Sequence, residues 1–244
     1  MFGINPIASL RQRLNTVLAT LVISALCCLS GALMTFVFSP AQAFQALRLS
    51  RLPVMDAGTI EAAAPGDTLL FTGTLTGNAP PEHDFDFLAY SVEEWTVTVP
   101  RDNESKPYGR WETVETVVPA LTIELDGQAI SIHQAAKVRL SGVLHEKIVK
   151  STDSIQALYE GELLPSGTRR YRGFLNGDLM TVLGKKASDG GVIPEQLFAG
   201  DRIAFEESQR QAAQGLFFAG LCAMAMAPIV LIGGLLYAIF GRQR

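Results

Sequence analysis

The stretch that decides the fold class is Leu121-Thr122-Ile123-Glu124-Leu125-Asp126-Gly127-Gln128-Ala129-Ile130-Ser131-Ile132. Apolar and polar residues alternate on both sides of Asp126-Gly127, which is the period of a β-strand. Asp-Gly suits a two-residue type I′ turn, whose central positions both need positive φ. Such a turn sets the register. Leu125 faces Gln128, Ile123 faces Ile130 and Leu121 faces Ile132, while Thr122 and Ser131 share the opposite face.

Working outward, the same alternation predicts strands over Thr68–Leu75, Phe87–Val99, Arg110–Val118, Val138–Leu144 and Leu179–Gly184. Three runs carry a late glycine: Phe71-Thr72-Gly73-Thr74-Leu75, Leu140-Ser141-Gly142-Val143-Leu144 and Val182-Leu183-Gly184. Glycine inside a strand marks bulges and barrel corners. The expectation is a mainly β domain, small and curved, forming a partly closed or OB-like barrel. Pro100–Gly109 is rich in turn formers and reads as a loop. Asp153–Leu163 reads as one short helix.

The ends of the chain differ from its middle. No charged residue occurs from Leu14 to Leu47 or from Gln211 to Gly241. Val17–Phe38 and Leu216–Phe240 are each long enough to cross a hydrocarbon core of about 30 Å. Pro228 is expected to kink the second span. Gly233 and Gly234 would allow close helix packing, although no full small-xxx-small ladder accompanies them. Glu206–Gln211 is expected to continue the helix out of the membrane. Neither span holds an ionisable carboxylate, lysine, arginine or histidine that would mark an ion path. Arg11, Arg13, Arg242 and Arg244 lie just beyond the apolar segments, the pattern of cytoplasmic anchor charges. Ala41-Gln42-Ala43 is a small-x-small pattern, so a retained signal anchor and a cleaved signal peptide both remain open. The expected organisation is an N-terminal anchor or signal over 1–43, an extracytoplasmic β-rich domain over 44–214, a membrane helix over 215–241 and a basic tail over 242–244. This makes the chain an integral membrane protein with the lipid bilayer as its first partner.

All 24 acidic residues and 16 of the 20 basic ones lie between 44 and 214, giving that region a formal charge of −8. Such a surface argues against nucleic acid, whose phosphates need lysine and arginine. The cysteines, Cys27, Cys28 and Cys222, all lie in the apolar ends, so the domain has no disulfide and no thiolate zinc site.

Motifs for chemistry are sparse. Glu82-His83-Asp84-Phe85-Asp86 holds four potential metal ligands behind Pro80-Pro81, but without a recognised ligand spacing, and it reads as a solvated loop. His133 and His145 are the other histidines. Glu93 and Glu94 are adjacent on a strand and point to opposite faces, so they do not form an acid/base pair. Arg169, Arg170 and Arg172, with Lys185 and Lys186, form either a solvated face or a contact for anionic headgroups. Trp95 and Trp111 are expected to pack in a core or on a sheet face. The sequence nominates no catalytic, cofactor-binding or metal residue and no cofactor.

Leu88-Ala89-Tyr90-Ser91-Val92-Glu93-Glu94-Trp95, then Trp111-Glu112-Thr113-Val114, then the Asp126-Gly127 hairpin resemble a known domain in order and spacing. Tyr171-Arg172-Gly173-Phe174-Leu175-Asn176-Gly177-Asp178 and Val182-Leu183-Gly184 look like its late turn and strand, and Ala57-Gly58-Thr59-Ile60 with Phe71–Leu75 look like its opening. The domain is the GIDE-type, or beside-a-membrane, domain of mitochondrial RING ubiquitin ligases and their bacterial relatives, and the resemblance covers roughly 55–240. It implies a β-domain held near a bilayer by two helices. The ligases also carry a C-terminal RING with zinc-binding cysteines and histidines. The sequence ends at Arg244 without them, so ligase activity is not expected. The expected function is that of a non-enzymatic binding or scaffold protein whose partners include other membrane proteins. The competing expectations are a metal-dependent hydrolase using the 82–86 loop, and an accessory subunit of a transport or membrane-remodelling complex.

Overall fold

The structure is a computed structural model that describes residues 6–77, 85–100 and 106–240. It contains two compact units, Leu52–Phe205 and a helical unit formed by Met1–Arg51 with Glu206–Arg244. The β unit lies inside the 44–214 span, with helix at both ends of that span.

In chain order the helical elements are α1 (Pro6–Leu33), a π-helical turn (Met34–Phe38), α2 (Ser39–Ser50), α3 (Ala57–Ala62) and α4 (Arg202–Phe240). The strands are β1 (Thr68–Thr76), β2 (Phe87–Thr98), β3 (Tyr108–Val117), β4 (Leu121–Leu125), β5 (Gln128–Ile132) and β6 (Arg139–Gly142). They continue with β7 (His145–Val149), β8 (Gln156–Tyr159), β9 (Glu162–Pro165), β10 (Arg169–Leu175), β11 (Leu179–Lys186) and β12 (Val192–Ala199).

Five strands close a barrel in the order β11-β1-β4-β5-β12, with β12 returning to β11. Every pair in the ring is antiparallel except β5 with β12. A three-strand antiparallel start whose third strand lies parallel to the last one is the OB-like arrangement. The Asp126-Gly127 turn has φ of 54° and 76°, and the register is the expected one, Leu125 with Gln128 through Leu121 with Ile132. Ile123, Ile132 and Leu121 are buried while Ser131 is exposed. A β-branched residue strains a left-handed position, so Gly127→Val is expected to cost about 1–3 kcal/mol. Ser131→Val, on the outer face, is expected to be nearly neutral. Thermal melting of the two full-length variants in detergent checks the contrast, and the reverse order would refute the register.

The late glycines have separate reasons. Gly73 sits where β1 leaves β11 for β4. A Cβ there would lie 2.5 Å from Ile123 Cγ2 and 2.6 Å from the Glu124 carbonyl oxygen, so this corner closes only on glycine. Gly184 follows a register shift against β12, a bulge as expected. Gly142, with φ of 89°, ends β6.

Insertions between barrel strands build a second sheet, β3-β2-β10-β7. It shares the barrel's core. Leu88 and Ala89 of β2 and Phe174 of β10 are buried in one cluster with Leu69, Phe71, Ile123, Val182 and Leu197. The helix expected over Asp153–Leu163 is instead the hairpin β8–β9, turning on Glu160 and Gly161 with φ of 49° and 88°. Local helix signals lose here to tertiary packing, because pairing Ala157 with Leu164 seats both against Trp95.

In the helical unit, α4 stays helical through Pro228. Its buried small residues, Ala213, Gly220 and Ala227, recur every seven positions, and Gly234 continues the series. They face Ser39, Gly31, Ser24 and Thr20: the Ser39 and Ser24 hydroxyls donate to the carbonyls of Ala213 (3.1 Å) and Ala227 (2.9 Å). A Cβ on Gly31 would lie 2.7 Å from the Gly220 carbonyl oxygen. The expected packing at Gly234 is present, against Thr20, but the ladder has a seven-residue period, not a four-residue one. Both helical arms are long and apolar enough to cross a membrane, and most residues of their apolar stretches are exposed. That exposure distinguishes them from the core helices of a soluble domain.

Candidate binding cleft

The barrel leaves one strand edge partly open. β5 meets β12 through a single parallel pair, Ile132 with Val192. Upstream of Val192, residues 187–191 turn away, and Gln128–Ser131 faces a cleft of about 610 Å³ instead of a strand. The His133 N–H donates to the Val192 carbonyl at 2.8 Å. Strand alternation then puts the N–H groups of Ala129 and Ser131 on that same side. Among the described residues no strand pairs with them there.

The opposite wall is a self-braced turn. The Ala187 N–H donates to Gly191 O at 2.9 Å, and Lys186 Nζ donates to Gly190 O at 2.8 Å. Lys186 is buried, so that bond satisfies a charge otherwise costly to hold out of water. His133 Nε2 lies 2.9 Å from Asp189 Oδ1, which also accepts the Gly191 N–H at 3.2 Å. The His133 hydrogen bond, then that of Gly191, holds the Asp189 carboxyl below its ordinary 3.8. A depressed carboxylate stabilises the turn above pH 3.8, and this contribution is lost as pH falls through the lower folded value. The third wall is α3, whose first turn is capped by Asp56: its Oδ1 accepts the Thr59 N–H at 2.7 Å. Ile60 anchors that helix in the barrel core.

The remaining sequence candidates lie elsewhere. Glu82, His83 and Asp84 fall outside the described residues, as does 101–105 of the expected loop. Among the described residues no group of three or more His, Cys, Asp or Glu side chains is arranged to hold a metal ion. His145 Nε2 lies 3.1 Å from Asp178 Oδ1 and does not line the cleft. Within the arginine cluster Arg170 is withdrawn from water, 12% exposed, whereas Arg169 and Lys185 lie on the solvated surface, each 55% exposed. Arg170 Nε donates to Glu93 Oε2 at 2.7 Å, and its guanidinium stacks over Trp111 at 4.4 Å. Arg169 lies 3.5 Å from Glu94, and Arg172 lies 3.8 Å from Glu146. Glu93 and Glu94 thus meet different arginines, in keeping with opposite faces. Lys185 pairs with Glu195 at 3.2 Å. Trp95 and Trp111 pack on each other and on Tyr159, as expected for a sheet face.

Sequence reasoning did not nominate Ala129, Ser131, His133 or the 187–191 turn as one site. The open edge depends on where β12 begins to pair, which no local pattern encodes. The Asp189-Gly190-Gly191 run was the available signal for the turn.

No family model, curated protein or solved structure matches the chain. The class it defines is therefore a structural one: a strand-rich protein with a closed five-stranded barrel, flanked in sequence by two long apolar helices.

Proposed function

We propose that the chain is a membrane-anchored, non-enzymatic binding or scaffold protein of the GIDE type, with its β unit on the extracytoplasmic side. The observation that carries the binding role is the open β5 edge beside the cleft. An extended segment of a partner can add there as a strand, taking main-chain hydrogen bonds from Ala129 and Ser131. The family reading is supported by the segments of the resemblance: 88–95 pairs with 111–114 and with 171–174 in one sheet.

Two outcomes test this. Ala129→Pro removes an outward N–H without touching the β4 pairing or the core, a change that edge positions tolerate. It is expected to leave melting within about 1 kcal/mol of the parent and to abolish photo-crosslinking of a partner peptide from a probe at Gln128. Crosslinking that survives Ala129→Pro refutes strand addition. For orientation, a reporter inserted at Gly109 is expected to score as exported and one after Arg244 as cytoplasmic. The reverse at either site overturns the topology.

A further inference from the structure

The two arms of the helical unit touch at Ser39 and Ala213, through the 3.1 Å bond from the Ser39 hydroxyl. Around that contact they line a groove of about 580 Å³, with Phe217 and Phe218 on one side of Ala213 along α4 and Arg210 and Glu206 on the other. Its α2 wall is lined by small residues, Ala43 and Ala46 among them, and its α4 wall carries Phe217, Phe218, Arg210 and Glu206. Along α4 the order is chemically directional. Phe217 and Phe218 lie within the charge-free stretch that begins at Gln211. Arg210 is the first cation outside it, and Glu206 stands one helical turn further out, about 6 Å of rise.

We infer that this groove seats one phospholipid with a primary-ammonium zwitterionic headgroup, a phosphoethanolamine lipid. An acyl chain, a phosphate and an ammonium follow one another from the hydrocarbon outward. Phenylalanines, a guanidinium and a carboxylate follow in the same sequence along the groove. Arginine suits the phosphate because its planar fork binds oxygens bidentately. Its ion pair to Glu207 at 3.6 Å is solvent-exposed and of the weak kind that a phosphate displaces. Glu206 already has a partner within the fold, and its remaining carboxylate lone pairs accept hydrogen bonds from a primary ammonium, which a quaternary headgroup cannot donate. An anionic headgroup would meet Glu206 with a like charge. The small side chains of Ala43 and Ala46 leave the width the chain occupies.

This inference rests on reading the two arms as membrane spans. The test is native mass spectrometry of the full-length chain in mild detergent, titrated separately with phosphatidylethanolamine, phosphatidylcholine and phosphatidylglycerol. The expected result is retention of one phosphatidylethanolamine, about tenfold tighter than the other two, a difference of 1.4 kcal/mol. Glu206→Gln is expected to erase the preference over phosphatidylcholine. Arg210→Gln is expected to weaken all three lipids. Ala43→Phe, at an exposed position on the groove wall, is expected to displace the lipid while helix content by circular dichroism stays unchanged. Equal retention of the three lipids, or an adduct insensitive to Ala43→Phe, overturns the inference. So does a dimer that forms in place of lipid binding. Release of the chain from membranes by alkaline carbonate would instead refute the spans themselves.

Discussion

Phe174→Ala is expected to lower the stability of the β unit by about 3–5 kcal/mol, the cost of emptying a fully enclosed aromatic site. Phe174 has no exposed surface and lies in the same core as Phe71, Ile123 and Val182. Its strand, however, belongs to the second sheet, so its ring joins that sheet to the barrel. For a chain of this size the loss corresponds to roughly 10 °C in melting temperature. Both tryptophans lie on the second sheet, in β2 and β3, so their fluorescence follows that sheet. Far-ultraviolet circular dichroism of the full-length chain follows the whole fold. The two signals are expected to shift together. A tryptophan transition left in place while the dichroism transition drops would show that the sheets have separate cores. Val114→Ala, at an exposed position of β3, is the control and is expected to change little.

Arg170→Met is expected to cost about 3 kcal/mol, because it strands a carboxylate that the fold has largely removed from water. The Arg170 and Glu93 side chains are only 12% and 17% exposed. The same change at Arg169, 55% exposed and 3.5 Å from Glu94, is expected to cost under about 1 kcal/mol. The diagnostic variant is the double one, Arg170→Met with Glu93→Leu. Apolar replacement of both partners removes the stranded charge, so urea unfolding is expected to show at least half of the loss recovered. A double variant no more stable than Arg170→Met would place the effect in the lost stacking on Trp111 and the bond to Tyr159.

These two residues mark different limits of reading the sequence. Phe174 belongs to a short apolar run, and its burial follows its composition. That it serves the barrel core from a strand of another sheet follows from insertions that return to one place, which periodicity does not register. Arg169, Arg170 and Arg172 read as a basic cluster because their partners, Glu93, Glu94 and Glu146, are distant in sequence. Pairing β2 and β7 with β10 brings them together. The β8–β9 hairpin was hidden for a related reason. Gln156–Tyr159 and Glu162–Pro165 are too short to show a period, and what fixes them as strands is the Trp95 surface they cover.

The sequence by itself determined what depends on neighbours along the chain. The Asp126-Gly127 turn and its register follow from the positive φ that Gly tolerates and the two-residue alternation beside it. The two long apolar arms follow from unbroken stretches without charge. Tertiary structure alone decided what depends on where distant strands meet. The barrel closes because β11 reaches both β1 and β12, with a close approach at Gly73 that admits no side chain. The β5 edge stays open because β12 begins pairing only at Val192. The groove between the helical arms exists because the small residues of two segments more than 160 positions apart face each other. Short-range sterics are written in adjacent residues, whereas closure and clefts arise from long-range packing, which a single stretch of chain does not carry.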